Sequence, residues 1–292
     1  MINQFLGIDL AYEYLDQKNI PYKRCGKLIV AVEEREIPLL EALYVRAQKN
    51  GCKKIELVDS ARITEIEPHC RGLKAIWSPY TGIVDWSQVT RAYADDFVKA
   101  GGKVYCNRPL KHLKLCKNGK YVVKIESAQE KVPDPSLPFL GVHFTPTIYG
   151  DVLLGPNAVL AFKREGYKFW DFSLYDFYDA LSYSGMRKLL FKYAAFGLRE
   201  MYRSIFISAQ VKQLRRYVPE LQLSDVTSGP SGVRAQALDT NGSLVDDFIF
   251  DGGEGQFAER LLHVRNAPSP GATGSLAIAK MIVSTAVEKF RL

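Results

Sequence analysis

Arg234 stands in SGVRAQA between small and apolar neighbours, and in a strand its side chain would leave on the same side as Gly232 and Gln236. An arginine entering a partly buried place needs a partner, and a carboxylate held by two parallel bonds is the natural one. That partner is either a bound acid or an internal one such as Asp239 or Asp246. His143 alternates with Gly141 and Thr145 along PFLGVHFTP and is the best placed of the 4 histidines to move a proton. A lone strand histidine serves equally well as a hydrogen-bonded structural group. His69, between Pro68 and Cys70, reads as a surface loop residue, and His112 and His263 sit in alternating runs without a carboxylate pattern. A third constellation is RNAPSPGATGSLAIAKMIV, a strand leading into a helix whose first turn reads Ser269, Pro270, Gly271, Ala272, Thr273 and Gly274. Small residues admit a close approach to the backbone, and the free N–H groups at the positive dipole end favour negative charge. The plainer alternative is a Gly/Pro loop ahead of a packed helix.

Several classes of chemistry are excluded. The clustered Gly252, Gly253 and Gly255 are followed by RLLHVRN, a strand pattern, so they predict a hairpin. A dinucleotide fingerprint would need a helix there. The 5 cysteines are scattered and never spaced C-x-x-C, which reads as free thiols in a reducing compartment with no zinc site. With 47% hydrophobic and 24% charged residues, the 292-residue chain has the balance of an ordinary globular protein. No apolar run reaches transmembrane length, and the acidic Asp9, Glu13 and Asp16 argue against a targeting peptide, so the chain reads as soluble or peripheral to a membrane. The net charge of +7 is concentrated between Ser184 and Tyr217, where Arg187, Lys188, Lys192, Arg199, Arg203, Lys212, Arg215 and Arg216 face only Glu200. One local stripe is too little for nucleic-acid binding. It is either a solvated helix face or a surface drawn to anionic lipid.

Elements that position these residues follow from periodicity. An apolar stripe over residues 3–18, stopped by Asn19-Ile20-Pro21, predicts a helix; KLIVAV predicts a strand; residues 37–49 predict a helix ended by Asn50-Gly51. TGIVDW leads into a helix that Asp85 and Gln88 would open as a capping box. Residues 103–126 alternate about Asn118-Gly119 as a hairpin, and Pro133, Pro135 and Pro138 interrupt regular structure. FLGVHFTP and DVLLGPNAVLAF predict two strands joined near Tyr149-Gly150; residues 173–217 are the most helical; SGPSGVRAQAL, LVDDFIFDGG and RLLHVRNAP read as strands before a closing helix. This order predicts a mixed α/β (α+β) fold of two interleaved lobes.

Taken in order, CGKLIVAVE, TGIVDW, PFLGVHFTP, LGPNAVLAFKREGY, GVRAQALD and HVRNAPSPGAT resemble the FAD-dependent L-2-hydroxyglutarate dehydrogenases, within the glycine oxidase and D-amino-acid oxidase type of flavoprotein. The resemblance implies oxidation of L-2-hydroxyglutarate, a small 2-hydroxy dicarboxylate, to 2-oxoglutarate, with hydride passing from C2 to flavin N5. It implies Arg234 as carboxylate anchor, Asn157 and Thr145 as further substrate contacts, and His143 as proton acceptor. Gly232, Asn266, Ser269, Gly271, Ala272 and Thr273 would face FAD. A quinone-type acceptor, contact with a membrane and a mitochondrial location also follow. In lobes, 1–80 would be mostly substrate lobe, 81–130 FAD lobe, 131–225 substrate lobe and 226–292 the end of the FAD lobe. The family opens with a βαβ unit carrying G-x-G-x-x-G and a histidine-containing flavin loop, whereas this sequence starts past both. It also runs from KIESAQE straight into KVPDPSLPF, where the family has further strands. The expectation is a truncated form without the pyrophosphate cradle, colourless and silent alone; a non-catalytic interaction or membrane-peripheral protein is the alternative.

Overall fold

The computed structural model describes residues 4–106, 110–115, 121–125, 143–155, 159, 161–168, 170–229, 231–233, 237–245, 248–252, 255, 258, 260–266 and 271–292. Helix α1 (Gln4–Lys18) ends where Asn19 turns left-handed at φ 52° and the Ile20 amide reaches back to the Leu15 carbonyl at 2.9 Å. Asparagine tolerates that conformation and Pro21 cannot continue the helix, so the stop is local chemistry. Tyr12, Leu15 and Ile20 bury themselves against Val89, a residue 1% exposed on a later helix.

Strands β1 (Tyr22–Lys23) and β2 (Lys27–Ala31) follow, then α2 (Ile37–Lys49), β3 (Glu56–Asp59), α3 (Ser60–Ile66), β4 (Lys74–Ser78) and β5 (Ile83–Val84). β4 lies between β2 and β3 in an antiparallel sheet, with Ala75 opposite Val30 and Val58 and Ile76 opposite Ile29 and Leu57. Alternation then divides the core: Ala75 joins Val58, Ile63 and Cys70, while Ile76 joins Ala31 and Leu40. α2 and α3 cover the two faces. Helix α4 (Trp86–Lys99) is capped by Asp85, whose Oδ1 accepts from the Ser87 amide at 2.8 Å. The expected capping box is not what forms. The Gln88 Nε2 donates to the Asp85 carboxylate and to the Tyr149 hydroxyl, and its side-chain oxygen does not accept from the Asp85 amide as a capping box requires.

Strands β6 (Leu110–Leu115) and β7 (Tyr121–Ile125) pair antiparallel, as do β8 (His143–Pro146) and β9 (Val152–Gly155). The Asn118-Gly119 turn and the proline cluster lie outside the described residues. Helices α5 (Leu174–Ser182), α6 (Ser184–Ile205) and α7 (Ile207–Leu214) confirm the helical third quarter. β10 (Ile249–Asp251) and β11 (His263–Asn266) pair antiparallel, and α8 (Ser275–Phe290) closes the chain. The order is mixed α/β, and every described ladder is antiparallel.

One expectation is corrected in part. Within SGPSGVRAQAL, residues 228–229, 231–233 and 237 are not in a strand, in keeping with the weak strand preference of glycine, and Leu238 bridges Leu244; Pro230 and residues 234–236 lie outside the described residues. The basic stripe stays exposed at Arg187, Lys188, Lys192, Lys212 and Arg215, and several of its cations are nonetheless paired. Arg203 pairs with the buried Glu200 at 2.6 Å, and Arg216 Nη2 with Glu33 at 2.6 Å and Glu36 at 3.1 Å. Arg187 donates to the Leu181 and Ser182 carbonyls, Lys188 to Thr240 and Arg215 to Leu221. The Arg203 pair lies within α6, whereas Arg187, Lys188, Arg215 and Arg216 tie their helices to neighbouring segments.

Candidate active site

Helix α8 starts at Ser275, not at Ser269, because Gly271 and Gly274 disfavour helix while burial of Ala277 and Ile278 fixes the turns that follow. Gly271 to Gly274 form a turn, in which Ala272 is exposed and Gly271 and Thr273 are half-buried. Gly274 caps α8 without a side chain, so no side-chain cap covers the helix N-terminus. From one side α1 comes very close: a Cβ on Gly7 would lie 3.1 Å from Gly274 Cα and 3.3 Å from the Thr273 oxygen. From another, the Tyr93 hydroxyl of α4 meets Ser275 Oγ at 3.1 Å. Ser269 lies outside the described residues, and Asn266 ends β11 opposite Ile249.

Of the residues expected on the substrate side, His143 and Thr145 lie among the described residues. His143 and Thr145 share β8, opposite Gly155 and Leu153, and Thr145 is exposed. The turn beyond them folds on Gly150 at φ 98°, a conformation suited to glycine. It presents Tyr149, whose hydroxyl donates to Asp85 Oδ2 at 2.7 Å and accepts from Gln88 Nε2 at 3.2 Å. Hydrogen bonds from Ser87 first, and then from Tyr149, hold the Asp85 carboxyl well below the usual carboxylate range. Arg234 and Asn157 lie outside the described residues. Gly232 is exposed, and a Cβ there would meet nothing within 4 Å. Asp239, one of the acids able to pair with Arg234, spends Oδ1 on the Asn241 and Ser243 amides at 2.8 Å each.

Sequence reasoning missed three groups. Tyr149 and Tyr93 carry no motif, since their value lies in where the chain brings their hydroxyls. Arg164 clasps the start of α5: its guanidinium pairs with Asp179 and lies 3.8 Å from Asp176, and its backbone N–H donates to Asp176. The Ser173-x-x-Asp176 spacing, in which Ser173 accepts from the Asp176 amide at 3.3 Å, was the available signal for that helix start.

Residues 5–132 match the family described as DAO, FAD dependent oxidoreductase. This places the matched segment among flavin-dependent oxidoreductases. Relatives named mitochondrial L-2-hydroxyglutarate dehydrogenase are 50% identical in Caenorhabditis briggsae and in Caenorhabditis elegans, over 98% of this chain and 79% of theirs. One from Nematostella vectensis is 48% identical over 98% of this chain and 77% of its own. The chain belongs to the L-2-hydroxyglutarate dehydrogenase family. The Caenorhabditis briggsae match runs over 342 residues against 292 here, so that relative carries internal residues with no counterpart in this chain.

FAD is the cofactor of this family, and the described residues fit only one part of it. The N-terminus of α8 suits the ring system that gathers negative charge. The glycines at 252 and 255 instead lie between antiparallel strands, and no described strand runs through a glycine turn into a helix that could cradle a pyrophosphate. The described residues therefore do not form a complete FAD site.

Proposed function

We propose that this protein oxidises L-2-hydroxyglutarate to 2-oxoglutarate in the mitochondrion, and that its residues contribute to both the substrate side and the flavin side of the site. In this reading Arg234 holds a substrate carboxylate by charge-assisted bonds, Asn157 and Thr145 orient the remaining oxygens, and His143 accepts the proton of the 2-hydroxyl. Gly232, Asn266, Ser269, Gly271, Ala272 and Thr273 line the flavin side. The lobes divide as 1–80, 81–130, 131–225 and 226–292. Electrons leave to a quinone-type acceptor at a membrane that the protein touches peripherally. Identity of 50% across 98% of the chain is the observation that carries the reading.

The test has two arms. Purified alone, the 292-residue chain is expected to be colourless and to reduce no artificial acceptor with added FAD, since few flavin contacts must offset several kcal/mol of lost motion. Restoring the residues of the Caenorhabditis briggsae relative that this chain leaves unmatched should bring back bound flavin and turnover of L-2-hydroxyglutarate. In that protein Arg234→Lys should lower kcat/KM about tenfold or more, because the two-pronged grip is lost. A flavin-loaded restored protein that leaves L-2-hydroxyglutarate untouched would overturn the assignment.

A further inference from the structure

Helix α4 touches both halves of the site proposed above. At its N-terminus, Asp85 and Gln88 hold the hydroxyl of Tyr149, three residues past the end of the strand that bears His143 and Thr145. Two turns on, Tyr93 meets Ser275, the first residue of α8, directly after the turn containing Gly271, Ala272 and Thr273. Tyr93 lies eight positions after the N-cap Asp85, a rise of about 12 Å along the helix. The helix is itself fixed: Val89 is buried with Tyr12, Leu15 and Ile20, and Asp96 accepts from Tyr14 at 2.7 Å and pairs with Lys18. The FAD-dependent oxidoreductase match ends at residue 132, so Tyr149 reaches back from beyond that segment to its α4.

We propose that α4 is a strut and that Tyr149 and Tyr93 are positioning residues, which together set the spacing between the substrate hairpin β8–β9 and the turn that opens α8. The choice of what the two ends carry rests on the function proposed above; the tie itself rests on the hydrogen bonds. A short hairpin with an exposed turn has little of its own to hold it, so its place depends on such anchors. Tyr149 is 70% exposed, which leaves its hydroxyl bonds as its main hold on α4.

Tyr149→Phe removes only the hydroxyl. In the 292-residue chain, amide hydrogen exchange over residues 143–155 should quicken roughly tenfold while β2, β3 and β4 exchange as before. Tyr93→Phe, which keeps its ring against Tyr14 at 4.8 Å, should quicken exchange at residues 271–276 in the same selective way. In the restored, flavin-loaded protein, Tyr149→Phe should raise KM for L-2-hydroxyglutarate several-fold more than it lowers kcat, and Tyr93→Phe should lower kcat more than it raises KM. Unchanged exchange at 143–155 overturns the proposal, and so does quickening spread evenly over the chain, which marks loss of stability and not of position. Selective quickening sustains the strut whichever substrate the restored protein turns over, so a failed substrate assignment is recognised separately.

Discussion

Replacing Arg216 with glutamine should destabilise the protein. Its Nη2 donates to Glu33 Oε1 at 2.6 Å and Glu36 Oε1 at 3.1 Å, with the arginine side chain 30% exposed. Fully exposed pairs contribute about 0–1 kcal/mol, and well-desolvated bonds to charge about 1.5–3 kcal/mol. At this intermediate exposure the two contacts together should be worth about 1–2 kcal/mol, a visible fall in the urea midpoint. Burial alone would raise Glu36, but the Val32 and Glu33 amides together with Arg216 outweigh it and hold its carboxyl below the ordinary value. A depressed folded pKa contributes stability that is present above the unfolded value and is lost as pH falls through the folded one. The deficit of Arg216→Gln should therefore be full at neutral pH and shrink below about pH 4. Arg215→Gln, which loses one bond to the Leu221 carbonyl, is the control: its smaller deficit should be indifferent to pH in this range. A deficit equal at pH 7 and pH 3.5, or none at pH 7, would refute the pairing.

Val89→Ala should cost about 2 kcal/mol in denaturant unfolding, since two methyl groups leave a site 1% exposed between α1 and α4. Arg164→Met should cost about 3 kcal/mol, because it leaves Asp176 and Asp179 without their shared cation beside a buried helix start, and Arg164→Lys should recover part of that. Gly7→Val should cost about 1–3 kcal/mol by pressing on the Gly274 backbone, whereas Gly7→Ala should be nearly neutral as its helix preference offsets a milder squeeze. Thermal melts and hydrogen exchange across α8 check both Gly7 variants.

The sequence by itself determined the local elements and the family. The helix over 4–18 stops at an asparagine able to turn left-handed, α2 stops at Asn50-Gly51, and strict alternation in β4 sends Ala75 and Ile76 to opposite sides. These outcomes depend on neighbours within a few residues, which is the range over which periodicity and capping act. Ordered motifs likewise sufficed for the family, because short runs such as LGPNAVLAFKREGY are specific without any geometry. Tertiary structure alone decided where the charges and hydroxyls go. Arg216 sits in a run that looks solvated, yet its partners Glu33 and Glu36 are about 180 residues away in sequence. Gln88 was spaced to close a capping box but turned to Tyr149, and SGPSGVRAQAL alternated like a strand without finding a ladder over its described residues. For Arg216 and Gln88 a long-range partner outweighed the local preference, by an amount no single segment encodes.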